Sequence, residues 1–279
     1  MPGSYADWVG GTEEAQELIA VASVQAAAAT LDDTTTEFAL GSPLPPLWQW
    51  FFFLPRVPHS RLGPDGHPRR EGFMPPVELP RRMFAGARMR FVRPLVVGKP
   101  ALRRSVVRDV TEKQGRTGAL AFVTVAHRID QDGGVCIEEE QDLVYREPGA
   151  PVAAPEPRTP GPDPAGAWTR LITPTPTLLF RFSALTFNAH RIHYDRTYAT
   201  GVEGYPGLVV HGPLAAVLLM ELVRAHAPRP VAAFEFRARA PLFDLDPFRL
   251  LARPDGPRVH LEAQGPDGQT TINATADWA

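Results

Sequence analysis

The stretch 211–228 reads HGPLAAVLLMELVRAHAP. Leu214 to Met220 are all apolar, and the first charge is Glu221. Pro213 suits a first helical turn, where its missing N–H costs nothing. Pro228 and Pro230 stop the run. The pattern predicts a helix over 212–226 that is apolar on every side. Such a helix has to be buried on nearly all sides, so other elements must wrap it. Sixteen residues before His211 ends a second unusual piece, 182–195, FSALTFNAHRIHYD. Asn188, His190, His193, Tyr194 and Asp195 crowd there, at the edge of an apolar run.

The wrapping elements read as antiparallel strands. After the helix come VAAFEFRARAPLFDLDPFRLLARPDG (231–256), PRVHLEAQGPDG and QTTINATADWA. An earlier set has the same pattern: ARMRFVRPLVVGKPALRRSVVRDV (87–110), GALAFVTVAHRID and GVCIEEEQDLVYRE. Each set holds a Pro-containing bend and two strand-like runs, and the turns QDGG and GPDG carry hairpin chemistry. An internal duplication is expected. Between the copies, 147–166 reads EPGAPVAAPEPRTPGPDPAG, in which fourteen of twenty residues are Pro, Ala or Gly. Such a tract favours extended polyproline II structure. It divides the chain into 1–146, 147–166 and 167–279. In the first part, PLWQWFFFL (46–54) is the expected counterpart of the apolar helix. The expected class is α+β, with two antiparallel sheets each wrapped around a central helix.

Composition limits the function. Hydrophobic residues make up 44% and charged residues 22% of the 279, as in ordinary globular proteins. A net charge of −2 gives no bulk attraction to nucleic acid. Cys136 is the single cysteine, so an internal disulfide and a cysteine zinc site are excluded. No apolar stretch has the ~20 residues that span a bilayer, and residues 1–20 lack a basic segment followed by an apolar one. A cytoplasmic protein without membrane contact is expected. The H-x-x-H spacing of His190 and His193 has no third His or Cys at a standard offset, so no metal is expected.

Other stretches carry weaker signals. The loop 61–82, RLGPDGHPRREGFMPPVELPRR, is long, rich in Pro and Gly, and basic. It reads either as a surface insertion or as a cap over a site, with Arg81 or Arg82 near phosphates and Arg69 and Arg70 in water. IEEEQD (137–142) is expected to face water. Trp48, Trp50 and Phe51 to Phe53 are expected in the core, with an acyl-pocket wall as the alternative.

The segments LPPLWQWFFF, GPDGHPRREGFMPPVELPRRMFAG, RFSALTFNAHRIHYDRTYA and EGYPGLVVHGPLAAVLL together resemble the MaoC-like (R-specific) enoyl-thioester hydratases. The likeness is to their double-hotdog branch, which holds type 2 hydroxyacyl-thioester dehydratases and mesaconyl-C4-CoA hydratases. The general pattern of that family is D-x-N-P-x-H-x-D, then H-G opening the central helix. His193 falls on its catalytic histidine, Asp195 on the later Asp, and His211–Gly212 on the H-G. Asn188 stands where the catalytic Asp is expected and His190 where the Asn is expected. The close branch shares this form.

The resemblance implies reversible addition of water to an enoyl thioester, with no cofactor and an acyl-CoA or acyl-carrier-protein thioester as partner. Water must lose a proton as it attacks Cβ, Cα must gain one, and the thioester oxygen must be stabilised as it carries enolate charge. A histidine suits the proton work because its ordinary pKa of ~6.5 lies near working pH. His193 is the expected base, with His190 as orienter or alternative base. Asn188 cannot be a base, but its amide can orient water. The helix N-terminus supplies donors for the oxygen, and Gly212 N–H is the first of them. Asp195, Tyr194, His211, Arg81 and Arg82 complete the expected substrate contacts. The catalytic residues are expected in 167–279, with 1–146 shaping the acyl tunnel and a homodimer as a possible assembly. Two rival readings stay open: a hotdog thioesterase, and a binding protein without turnover.

Overall fold

A computed structural model describes residues 5–69, 72–115, 118–154, 156, 162–227 and 229–279. Arg70, Pro228 and part of the Pro/Ala tract lie outside the described residues.

Among the described residues, ten strands form one antiparallel sheet. In chain order they are β1 Thr12–Leu18, β2 Arg81–Phe91, β3 Pro100–Gly115, β4 Gly118–Gln131, β5 Gly134–Arg146, β6 Trp168–Ile172, β7 Val231–Ala238, β8 Phe248–Asp255, β9 Arg258–Gln264 and β10 Thr270–Trp278. Their spatial order is β1-β3-β4-β5-β2-β7-β10-β9-β8-β6. Read inward from either edge, the order is the same: first, third, fourth, fifth and second strand of each half. The repeat expected from the strand pattern is therefore present in the topology.

The two copies do not form two separate sheets. They join edge to edge where β2 pairs with β7, from Gly86 opposite Arg237 to Arg90 opposite Ala233. Glycine is needed at this seam: a Cβ at Gly86 would stand 2.4 Å from Phe236 O. Joining these edges also removes two rows of unpaired backbone groups that would invite aggregation.

The helices are α1 Val21–Leu31, α2 Pro176–Leu185, α3 Arg196–Gly201 and α4 Gly212–His226. α4 is the apolar helix expected from the sequence, and every residue from Leu214 to Val223 is buried. Its one buried carboxylate, Glu221, accepts from Trp48 Nε1 at 2.8 Å and pairs with Arg224. The counterpart expected at 46–54 is not a helix of this kind. Residues Trp48–Phe51 make a single 3-10 turn, and Leu47 and Phe53 on either side have positive φ. Prolines at 45, 46 and 55 flank this piece, and β-bulky aromatic side chains are poor helix formers. Among the described residues, only the second half thus has a long central helix. α1, immediately after β1, packs against α2 and the 3-10 turn.

One further expectation changes. Glu139 in IEEEQD points inward: it is 4% exposed and accepts from Trp50 Nε1 at 2.8 Å. The strand alternates, so Glu138 and Glu140 pair with Arg90 and Arg88 on the other side. The start of the Pro/Ala tract is also docked, since Val152 N–H donates to Gly204 O at 2.9 Å and Val152 packs on the core. Trp48, Phe51, Phe52 and Phe53 are buried in the main core. Among the described residues, no helix is long and apolar enough to cross a membrane.

Candidate active site

The sequence 182–195 bends sharply between α2 and α3. α2 starts on Thr175, whose hydroxyl accepts Leu178 N–H, and ends before Phe187, at φ 50°. Asn188 Oδ1 then accepts His190 N–H at 3.0 Å, the local bond that lets Asn stabilise a turn. A 3-10 turn, Arg191–His193, follows. Asp195 caps α3 by accepting Tyr198 N–H and pairs with Arg191 at 2.7 Å. Asp195 is thus committed to its own segment, and Tyr194, 45% exposed, donates to Ala189 O. Neither makes a contact that draws it toward the histidines. Asn188 makes no bond to the His193 ring among the described residues; it holds the backbone of His190 instead.

The turn buries His190 and His193 beside His211 at the N-cap of α4. The rings of His193 and His211 stack, 3.6 Å between centroids and 19° between planes. His190 meets His193 edge to face at 5.4 Å. His211 bonds Ser183 Oγ through Nε2 at 2.9 Å, and its buried Nδ1 has no partner. His193 Nδ1 lies 2.7 Å from Val209 O. A carbonyl can only accept, so Nδ1 carries the proton and Nε2 is left with a lone pair. No described residue bonds Nε2 of His193 or either ring nitrogen of His190.

Burial sets the charge of this cluster. Desolvation disfavours the imidazolium. It lowers His193 to about 4, against the partial support of the Val209 carbonyl. His211 is held well below its ordinary value by burial and then by its two histidine neighbours. His190 is pushed strongly down by burial, with His67, His193 and Arg82 adding to the effect. All three rings are neutral at pH 7.

The loop expected as a cap does reach this site, through 61–69. Asp65 O accepts Arg191 N–H at 2.8 Å, and Pro64 O accepts from the Arg191 side chain at 3.1 Å. Gly66, at φ 90°, lies so close that a Cβ would stand 1.8 Å from Ala189 O. His67 is thereby set against His190, 4.0 Å between ring centroids, and its Nδ1 lies 3.0 Å from Asp65 Oδ2. In the sequence, the glycines, prolines and arginines of this loop dominate and mask Asp65 and His67. The Asp-x-His spacing in GPDGHP was the available signal. The ligand atoms of Asp65, His67 and His190 all lie within 4.8 Å of one another, the one group among the described residues that could hold a metal ion. The second part of the loop does not cap the site: Phe73, Met74 and Leu79 cover a separate small core beneath β3, β4 and β5.

Arg81 and Arg82 part company. Arg81 is clamped by Glu203, with Nε 3.1 Å from the carboxylate and Nη2 2.7 Å from the backbone oxygen. Its Nε and Nη2 are thus engaged within the protein. Arg82 forms no ion pair or hydrogen bond with the described residues, and its charge acts on His190. Gly212 opens α4, and no described residue accepts from its N–H; a Cβ there would meet only Phe84 O at 3.9 Å.

The Gly66 contact gives a test of the docked loop. Gly66→Ala should destabilise the protein by more than ~1 kcal/mol and lower activity at least tenfold, read by thermal unfolding and steady-state rate. Gly72→Ala is the control. Its φ is 91°, but nothing lies within 4 Å of its Cβ position, so it carries the backbone strain without the clash.

Comparison with known proteins agrees with the geometry. The family model for hydroxyacyl-thioester dehydratase type 2 matches residues 47–244. The chain is 62% identical to mesaconyl-C(4)-CoA hydratase of Chloroflexus aurantiacus over 97% of its own length and 96% of the relative. It superposes on the crystal structure of HtdX from Mycobacterium tuberculosis with TM-score 0.70 at 18% identity, covering 96% and 99% of the two chains. A second Mycobacterium tuberculosis structure, described as a double hotdog fold, gives TM-score 0.58 at 15% identity over 99% of both chains. The chain belongs to the type 2 hydroxyacyl-thioester dehydratase family, and is a hydratase/dehydratase of acyl thioesters built as a double hotdog.

Proposed function

We propose that the chain reversibly hydrates a short dicarboxylic enoyl-CoA of the mesaconyl type. The observation that carries the reaction is the neutral His193, its free Nε2 beside the N-terminus of α4. A thioester oxygen received by Gly212 N–H sits at the positive end of that helix. Its Cα then lies on the His193 side, since His193 stacks on the residue preceding Gly212. As Cβ is attacked, electrons move through Cα to the thioester oxygen, where the N–H holds the enolate charge. Such a donor is commonly worth ~3–4 kcal/mol in the transition state. His193 delivers the proton to Cα, and in dehydration removes it. Asn188 positions His190, and His211, bonded to Ser183, supports the His193 ring.

The dicarboxylic class rests on the name of the relative at 62% identity and on Arg82. A guanidinium without a hydrogen bond or ion pair among the described residues, close to the reacting groups, suits a substrate carboxylate. The coenzyme A phosphates are the other candidate. The catalytic group is proposed to lie mainly in 167–279, with 1–146 contributing the docked loop, and the protein is proposed to work in the cytoplasm as a homodimer.

The test is hydration of mesaconyl-C4-CoA, crotonyl-CoA and longer enoyl-CoAs by wild type and Arg82→Ala. Arg82→Ala should raise KM for the dicarboxylic substrate by roughly 10–100-fold and leave crotonyl-CoA nearly unchanged. An equal rise for all CoA esters would assign Arg82 to the phosphates. Release of free CoA without a hydroxyacyl product would replace hydration by thioester hydrolysis.

A further inference from the structure

Where the second half has α4, the first half has a single aromatic turn, and that turn is strained. Leu47 at φ 72° and Phe53 at φ 55° bracket Trp48–Phe51. Bulky L-residues rarely adopt this conformation, and they keep it only where the surroundings impose it. Within the turn Trp48, Gln49 and Phe51 are buried, but Trp50 is only partly so. We infer that Trp50 is the end wall of the acyl site: its indole, held by Glu139 against Phe84 and Phe236, admits a short acyl group and turns a long one away. This deepens the hydratase reading above and rests on it.

The wall is placed by three features. First, the rings close a triangle. Trp50 meets Phe84 at 5.8 Å and 76°, and Phe236 at 6.1 Å and 67°. Phe84 meets Phe236 at 5.5 Å and 82°. All three contacts are edge to face, the arrangement that aromatic quadrupoles favour. Second, the indole is anchored. Its Nε1 donates at 2.8 Å to Glu139 Oε1, which also accepts from Gln141 Nε2 at 2.6 Å. Glu139 Oε2 accepts from Gln49 Nε2 at 3.3 Å. A buried carboxylate is destabilised when a donor leaves it, so the indole cannot swing aside freely.

Third, the triangle stands at the reacting end. A Cβ at Gly212 would be 3.9 Å from Phe84 O. Arg82, two residues before Phe84, shares its face of β2, and the Arg82 charge acts on His190. β2 thus runs along the site from His190 to the start of α4. In the proposed reaction the thioester oxygen is received by Gly212 N–H. An acyl group reaching from there toward His190 lies along Phe84. Of the two rings packed on Phe84, Phe236 is buried at 1% exposure, and Trp50 is the one still partly uncovered. Additional methylenes therefore meet the indole. The same turn that cannot extend into a central helix is what presents this ring.

Chain-length profiles test the wall. kcat/KM is measured for crotonyl-CoA and 2-octenoyl-CoA with wild type, Trp50→Leu and Trp50→Ala. Wild type should favour crotonyl-CoA. Each methylene taken out of water is worth about fourfold, so a shortened side chain that admits about two of them should raise the octenoyl-to-crotonyl ratio roughly tenfold or more. Phe84→Leu opens the triangle from β2 and should move the ratio the same way, which keeps the test should Trp50→Ala not fold. Trp48→Phe is the control. Trp48 is buried and bonds Glu221, outside the triangle, so its loss should leave the ratio unchanged. An unchanged ratio in both Trp50 variants would make the triangle core packing and overturn the inference. So would a wild type that takes octenoyl-CoA as readily as crotonyl-CoA. If wild type hydrates no enoyl-CoA, it is the hydratase reading that has failed. The wall is then read from the Kd of butyryl-CoA and octanoyl-CoA, saturated esters that do not react. Trp50→Leu should tighten octanoyl-CoA and not butyryl-CoA, and an octanoyl-CoA Kd equal to that of wild type overturns the wall.

Discussion

His193→Ala is expected to lower kcat for hydration by roughly 10²–10⁴-fold, the usual contribution of a well-placed acid–base group. KM should change little, because in the proposed reaction the ring acts in the chemical step and not in holding the substrate. Three observations make this the most damaging single substitution in the site. The Val209 carbonyl fixes the proton on Nδ1, so Nε2 is always the acceptor. Burial lowers the pKa to about 4, so the ring is neutral, and ready to accept, through the whole range above pH 5. Stacking on His211 places it at the α4 N-terminus, beside the atom whose proton has to move. His193→Gln should lose as much activity, since an amide can neither take up nor release a proton at neutral pH, while filling more of the cavity left by Ala. A loss below tenfold in both variants, measured by steady-state hydration with unfolding curves as a control, would move the proton work to His190. Asn188→Ala should cost less than either, because among the described residues the Asn188 side chain bonds only the backbone of His190.

The fold was largely legible from α4 and the strand pattern. A run from Leu214 to Met220 without a charge has one physical solution, burial on all sides, and the two sets of Gly-turned strands supplied the cover. What periodicity could not show was the β2–β7 seam. Edge pairing depends on backbone approach at Gly86, which leaves no mark in a hydrophobic pattern. The first-half helix was misplaced for a related reason: 46–54 is apolar enough for a central helix, but its flanking prolines and aromatics allow only one 3-10 turn. In the site, His190, His193, His211 and Gly212 were legible because they lie in two compact motifs. Asp65 and His67 lie more than a hundred residues upstream, and only the folded loop brings them to His190. Arg81 and Arg82, adjacent in sequence, were indistinguishable until Glu203 claimed one of them.

Acidification should unfold this protein earlier than carboxylate titration would. Burial holds His190, His193 and His211 below their ordinary pKa, so the unfolded chain binds protons that the native state refuses. For a lowered histidine the sign is fixed: its contribution is fully present above the unfolded pKa of ~6.5 and is lost as pH falls toward the folded value. The window for His193 therefore runs from ~6.5 down to about 4, and over it this one ring costs roughly 3 kcal/mol. Three such rings would give a slope approaching roughly 4 kcal/mol per pH unit below pH ~6, against a total stability of about 5–15 kcal/mol. The carboxylates with lowered pKa, among them Asp33, Asp65 and Glu262, act in the same direction but only below the ordinary carboxylate range near 4. Denaturant unfolding at pH 8, 6.5, 5.5 and 4.5 separates the two groups by where the loss begins. A steep fall between 6.5 and 4.5 is expected, with activity lost over the same range through unfolding and not through titration of a folded enzyme. His193→Gln should reduce the slope by about 1.4 kcal/mol per pH unit, one proton's worth. Stability that stays flat from pH 8 to 5 would mean that the rings are hydrated and can charge in place, and His193 would then lose its standing as a base that is neutral by burial.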